Sequence, residues 1–207
     1  MSCRCITASY TRFLLLLASL LMLAGLLVFA GWWLDESIVY DNHLVENLQV
    51  LFLLLAAMLH GRYAMLWRNS RLDSYVRVFM VFFCIAFLLR ELDIKSFGER
   101  ELWDRIEQAL RWLVGLPYLA WLLFLLSKTA FLWSQRQAVF RSPLFHLTVA
   151  GCLCYVIGWP FDKKLFTGLS FAQAQLGEEI LELWGTSLLL AAAWWPAPLL
   201  PQAGDPR

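Results

Sequence analysis

The residues of this sequence that are best suited to catalysis or ligand binding are polar side chains next to long apolar stretches. They form three groups, separated in the chain: Glu46, Asn47 and Gln49; Arg90, Glu91 and Asp93; and Glu178, Glu179 and Glu182. Carboxylates in apolar surroundings can bind a cation, hold a proton or act as general acid and base. We expect Glu46, Glu179 and Glu182 to be catalytic or ligating groups. The ligand-binding residues around them are expected to be Arg90, Glu91, Asp93, Asn47, Gln49 and Glu178.

The composition indicates where such groups must lie. Of the 207 residues, 60% are hydrophobic and only 16% are charged, against roughly 45–50% and 25% in soluble domains. A soluble domain of this length could not bury so much apolar surface, so a soluble enzyme, a disordered chain and a disulfide scaffold are excluded. The sequence predicts an all-α, polytopic transmembrane helix bundle forming a single domain over residues 1–207.

Six stretches are apolar enough to be transmembrane helices, which need about 20 residues each. The predicted spans are 13–34, 45–67, 75–92, 112–131, 144–161 and 178–195. Between the third and fourth spans, apolar residues at helical spacing predict an interfacial amphipathic helix at about 98–111. Residues 163–177 are expected to form a second interfacial segment on the same side. Zincin, nucleotide-binding and α/β-hydrolase motifs are absent from the sequence, and nothing indicates nucleic-acid binding.

The charges of the segments between the spans predict which side of the membrane each segment faces. One set of loops and termini carries ten of the 17 Lys and Arg residues but only two of the 16 acids. Because positively charged loops stay in the cytoplasm, both termini are predicted to be cytoplasmic. The acidic side would then face the periplasm or exterior, as in a protein of the inner (plasma) membrane.

Three of the spans, the second, third and sixth, have uncharged stretches too short to keep their charges outside the membrane. The third has 12 uncharged residues, 78–89, and the sixth has 13, 183–195. Counting back from Trp195 places Glu182 about 20 Å along the helix, below the outer boundary of a hydrocarbon layer roughly 30 Å thick. Since unpaired charges at this depth are costly, we expect the outer ends of the second, third and sixth spans to be neighbours. At least one of Glu46, Glu178, Glu179 and Glu182 should then pair with Arg90.

More than one interpretation fits this convergence. An excess of carboxylates over arginine favours a bound cation such as a divalent metal, a protonated carboxylate, or a cationic substrate group. Arg90 could orient the acids or hold an anionic head group. The leading hypothesis is therefore a pocket for a cation or a lipid or isoprenoid head group, with lipid-modifying chemistry as an extension.

Alternatively, the role of these charges is structural. The acids at the starts of the second and sixth helices would stabilise the positive ends of the helix dipoles, and Arg90 would form one structural salt bridge. The chain would then be a non-catalytic accessory subunit, with membrane lipids and other membrane proteins as its partners. The sequence identifies no cofactor.

Two short motifs carry a resemblance to known proteins. Asp41-Asn42-His43-Leu44-Val45-Glu46 resembles the Glu-Asp-Gly-x-x-Glu helix start of certain small bacterial multi-pass inner-membrane proteins of unassigned function. The helix start Glu178-Glu179-Ile180-Leu181-Glu182 is similar to their later paired-glutamate motif. Asp41, Asn42 and His43 depart from that pattern. The resemblance implies a periplasm-facing acidic site in a bacterial inner membrane.

The topology can be tested by thiol labelling. Cysteines introduced as Ser170→Cys and Gly98→Cys should react with a membrane-impermeant reagent from the periplasmic side, because both lie on the predicted outer face. The unsubstituted chain, treated in parallel, provides the background. Labelling that appears only after the inner membrane is permeabilised would contradict the orientation.

Overall fold

The computed structural model describes residues 3–35, 44–92, 100–163, 165–195 and 199, with side chains from residue 16 onward except that of residue 100. All the regular secondary structure within these ranges is helical. The helices are α1 (Cys3–Leu34), α2 (Leu44–Leu66), α3 (Arg71–Glu91), α4 (Arg100–Ser127), α5 (Thr129–Ser134), α6 (Arg136–Phe140), α7 (Pro143–Asp162) and α8 (Phe171–Trp194). The all-α prediction is confirmed for the described part of the chain.

Five of these helices are long and apolar enough to cross a membrane. They are α1 from Leu16, α2, α3, α4 from Glu101 and α7, and they correspond to the first five predicted spans. The sixth predicted span lies in α8, whose 24 residues extend about 36 Å. Three glutamates in its first half distinguish α8 from the other five helices.

The separate interfacial helix predicted at 98–111 is not a separate element. Within the described residues it is continuous with the fourth span, and α4 runs for 28 residues from Arg100 to Ser127. No Gly or Pro occurs between Arg100 and Gly115 to end the helix. An ion pair of 2.5 Å between Arg111 Nη2 and Glu107 Oε1 stabilises the helix just before the start of the fourth predicted span. The fourth span therefore ends at Ser127 rather than at residue 131, and α5 and α6 follow it.

The start of the last helix also differs from the prediction. α8 begins at Phe171, so residues 171–177 are helical rather than part of an interfacial loop. Ser170 and Gln173 form a capping box, in which the Gln173 amide donates to Ser170 Oγ and the Ser170 amide donates to Gln173 Oε1. These bonds satisfy N–H groups that a helix start leaves without partners.

Helix α8 occupies the centre of the bundle. It packs against α7, α2 and α1, while α3 packs against α2 and α4. The core at this junction includes the fully buried residues Leu53, Ala56, Cys84 and Leu189. The closest approach is at Gly151 of α7 and Gly185 of α8. A Cβ atom at Gly185 would lie 2.9 Å from the Gly151 carbonyl oxygen and 2.9 Å from Tyr155 Cδ2. Small residues thus bring the two backbones into contact.

This contact predicts opposite effects for two Gly-to-Ala substitutions. Gly185→Ala should lower the free energy of unfolding by about 1–3 kcal/mol, because the methyl group overpacks the α7–α8 contact. A Cβ atom at Gly115 meets nothing within 4 Å, so Gly115→Ala should be neutral or stabilise α4 by up to about 1 kcal/mol. Reversible unfolding of both variants in the same detergent is the measurement. Equal effects would contradict the close approach.

Candidate functional site

The polar residues of three helices meet at one end of the bundle. Gln49 Nε2 on α2 donates a hydrogen bond of 2.9 Å to Glu179 Oε2 on α8. Arg90 near the end of α3 forms an ion pair with Glu182 on α8. Its Nη1 also lies 3.7 Å from Oε1 of Glu91. Gln49, Arg90, Glu91, Glu179 and Glu182 are called the acidic cluster below. The expected convergence of the second, third and sixth predicted spans, with a carboxylate on Arg90, is confirmed.

The carboxyl groups of the acidic cluster are buried, whereas its cation is not. Glu182 is 4% exposed, Glu91 6% and Glu179 8%. The Arg90 side chain is 48% exposed, so it covers the acids and still reaches the surface. Gln49 is fully buried between α2 and α8.

Two further buried side chains contact the cluster: Tyr155 of α7 and Thr186 of α8. The Thr186 hydroxyl donates to the Glu182 carbonyl oxygen at 2.7 Å and forms a hydrogen bond of 2.7 Å with the Tyr155 hydroxyl. The Arg90 guanidinium carbon also lies 5.2 Å from the centre of the Tyr155 ring, within cation–π range. Neither residue was identified from the sequence. Thr186 is one turn after Glu182, but Tyr155 lies in an apolar stretch with no distinguishing signal.

The remaining expected site residues lie around the cluster or outside the described residues. Glu46 is half-buried and close enough to interact electrostatically with Glu91 and Glu179. Glu178 is also half-buried and interacts with Glu182 and with Asp162 at the end of α7. Asn47 is exposed. Asp93 lies outside the described residues.

Carboxyl groups outnumber cations within the acidic cluster. Glu91, Glu179 and Glu182 contribute three buried carboxyl groups, whereas Arg90 contributes one guanidinium. A buried carboxyl group without a paired cation is unfavourable in its charged form, so it must hold a proton or contact a further positive group.

Two buried oxygens of the cluster also lack a hydrogen-bond donor. Oε1 of Gln49 and Oε1 of Glu91 are inaccessible to solvent and accept no hydrogen bond, although Glu91 Oε1 has the 3.7 Å ion pair with Arg90. Buried acceptors in proteins are normally satisfied, so both atoms could receive a donor or a cation. Within the described residues, no group of three or more His, Cys, Asp and Glu side chains has the arrangement of a metal site.

A second polar cluster, at the other end of the bundle, was missed at the sequence level. Arg77 is one of the ten cations assigned above to the cytoplasmic loops and termini, although it lies near the start of the third predicted span. It is fully buried in α3. Its Nη1 lies 3.2 Å from His60 Nδ1, and its Nη2 donates to the Trp195 carbonyl oxygen at 2.8 Å. Asp73, one turn earlier, accepts a hydrogen bond of 2.8 Å from the Leu199 amide. These contacts tie the end of α8 to the start of α3.

The two arginines of α3 therefore contact α8 in a matching register. Arg77 and Arg90 are 13 residues apart, and so are their partners Trp195 and Glu182. Thirteen residues of helix extend about 20 Å. Because Arg90 binds the earlier residue of α8 and Arg77 the later one, the two helices run in opposite directions, and a shift of either would break both contacts.

The charge imbalance predicts that Arg90 stabilises the fold. Arg90→Ala should lower the free energy of unfolding by about 1–3 kcal/mol, because it leaves buried acceptors of Glu182 and Glu91 unsatisfied. Arg71→Ala is the matched control, since Arg71 is an exposed arginine on the same helix. Its removal should change stability by less than about 0.5 kcal/mol. Equal losses for the two variants would show that Arg90 does not compensate the acids.

The chain matches no family model, no curated protein and no solved structure.

Proposed function

We propose that this protein is a small, multi-pass protein of the bacterial inner membrane whose acidic cluster binds a cation or a lipid or isoprenoid head group. The observation that carries the proposal is the pair of buried, unsatisfied oxygens on Gln49 and Glu91 beside carboxyl groups that outnumber their cation. A positively charged group would satisfy both conditions. A metal ion would coordinate the two oxygens directly, whereas the amine of a head group would donate hydrogen bonds to them.

The membrane part of the proposal is supported by the outer helices. α1 and α4 expose large apolar side chains such as Leu27 (64%) and Leu113 (68%), as expected for surfaces in contact with lipid. α8 is the sixth span in this proposal. Its neighbours α1, α2 and α7 separate its glutamates from lipid, which is how ionisable residues are accommodated in membrane helices. The bias of Lys and Arg then places the acidic cluster on the outer side.

The surface beside Arg90 favours a lipid head group over a bare cation. A cleft of about 240 Å³ between α3 and α4 is lined by Arg90 and Arg111, with Ala86, Leu89 and Tyr118 as its apolar part. Two guanidinium groups suit a phosphate, and the buried carboxyl groups behind Arg90 suit an amine. In a lipid-modifying reaction, Glu46, Glu179 and Glu182 would be the groups available for general acid–base catalysis.

A second candidate function is that of an accessory subunit in which the cluster only joins helices. This alternative is favoured by the hydrogen bond from Gln49 to Glu179 and the ion pair of Arg90 with Glu182, since each connects two different helices. Polar contacts of this kind stabilise helix association in membranes. They leave the two unsatisfied oxygens unexplained.

Neutralising Glu182 separates the two functions. Glu182→Gln keeps the size of the side chain but removes its charge, so the folded protein should remain in the membrane and lose its bound ligand. Native mass spectrometry in lipid nanodiscs, with Mg²⁺ or phosphatidylethanolamine as probe, measures the ligand. Glu101→Gln is the control, because Glu101 is an exposed acid in the first turn of α4. It should bind like the wild type.

Each result of this experiment distinguishes between the candidates. Loss of the probe mass from a folded Glu182→Gln variant supports the ligand site. Equal occupancy in Glu182→Gln and the wild type, or no binding of either probe by the wild type, contradicts it. If Glu182→Gln does not fold, the half-buried Glu178→Gln replaces it in the same comparison.

A further inference from the structure

A deep apolar groove lies at the end of the bundle opposite the acidic cluster. It has a volume of about 450 Å³ and is formed by α3, the end of α4, the two short helices α5 and α6, and the first half of α7. The apolar residues along it include Val76, Phe79, Leu132, Trp133, Leu144 and Val149. Its volume is within the range of about 300–1,000 Å³ that is typical of small-molecule sites. The groove could therefore hold a ligand rather than only trap solvent.

The short helices α5 and α6 give this groove a positively charged rim. Arg136 is the charged residue among those that line it. Its guanidinium carbon lies 4.5 Å from the centre of the Trp133 ring, and Nη1 donates to the Trp133 carbonyl oxygen at 2.9 Å. These contacts fix the guanidinium at the edge of the groove. Lys128 immediately precedes Thr129, another lining residue, and its Nζ lies 5.4 Å from the Phe124 ring.

No acidic residue compensates these cations in the surrounding sequence. From residue 108 to residue 161 the chain contains Arg111, Lys128, Arg136 and Arg141 but no Asp or Glu. A largely apolar groove whose rim carries Arg136 is complementary to a molecule that has a hydrocarbon chain and an anionic head. The hydrocarbon chain of a neutral lipid would fill the groove without contacting the basic rim. A soluble anion would bind the rim and leave the groove empty.

We infer that the groove binds one acyl chain of an anionic phospholipid, whose phosphate is held by Arg136 and Lys128. The inference uses the membrane placement in the proposed function but not the ligand of the acidic cluster, which is at the other end of the bundle. In that placement the basic end faces the cytoplasm, where anionic lipids attract Lys and Arg near the membrane surface. The site is thus a second lipid site, selected by charge.

Photocrosslinking from the acyl chain tests this site directly. The full-length protein is reconstituted in nanodiscs containing phosphatidylglycerol or phosphatidylcholine, each with a diazirine on one acyl chain, and crosslinked peptides are mapped by mass spectrometry. We expect labelling at Leu132, Trp133, Phe145 or Val149 that is at least five-fold stronger with phosphatidylglycerol. Labelling of the exposed face of α1 should be equal for the two lipids and normalises the comparison.

Two double variants test the contribution of the basic rim. Arg136→Gln with Lys128→Gln should reduce groove labelling by phosphatidylglycerol to the level of phosphatidylcholine. Arg62→Gln with Arg68→Gln is the matched control, because both residues are exposed cations at the same end of the bundle but do not line the groove. It should label like the wild type.

The results that would overturn the inference come from crosslinking of the wild-type protein. The inference can therefore be tested even if the variants misfold. Equal groove labelling by the two lipids would show that the groove is filled by bulk lipid without selection for charge. Absence of groove labelling alongside normal labelling of α1 would show that another part of a membrane complex, or no lipid chain, occupies it. A membrane placement that is itself wrong would instead abolish labelling on α1 as well.

Discussion

The ion pair between Arg90 and Glu182 is the interaction on which the acidic end of the bundle depends. Helix α8 is central and carries three glutamates, two of them buried, so their charges must be compensated by neighbouring helices. Arg90 is the cation in contact with these carboxyl groups in the described structure, and it comes from α3. Its half-exposed position lets it neutralise Glu182 while it remains available at the cleft shared with Arg111. The structural role of Arg90 and its proposed role in ligand binding therefore fall on one side chain.

The same helix fixes the opposite end of the bundle with a different kind of contact. Arg77 is fully buried. It contacts His60, a backbone carbonyl and the stacked rings of Tyr63 and Trp67 rather than a carboxylate of α8. Asp73 accepts from the Leu199 amide and holds the segment after α8. Both ends leave buried polar atoms without a hydrogen-bond partner: Arg77 Nε and His60 Nε2 at one end, and Gln49 Oε1 and Glu91 Oε1 at the other. The acidic end differs in that its three buried carboxyl groups are matched by a single guanidinium.

The acidic cluster could be predicted from the sequence because the lengths of the apolar runs indicate how deep each polar residue lies in the membrane. The short apolar runs of the third and sixth predicted spans placed Arg90 and Glu182 at similar heights, and the cost of an unpaired charge predicted their contact. The start of α8 was missed although Ser170 and Gln173 carry a capping-box signature, since hydropathy was used to set the boundary. The burial of Arg77 and the bridge through Tyr155 and Thr186 depend on which helices pack together. A single sequence without contacts does not contain that information.

The central claim is that Arg90 and Glu182 stabilise the bundle through each other. A double-mutant cycle with Arg90→Met, Glu182→Gln and the combined variant measures this directly, because it isolates the pairwise free energy from the effect of each substitution alone. For a direct ion pair with a buried carboxylate, the unfolding free energies should give a coupling of at least about 1 kcal/mol. The double variant should accordingly be more stable than the sum of the single effects predicts. Additive losses, with a coupling near zero, would contradict the account.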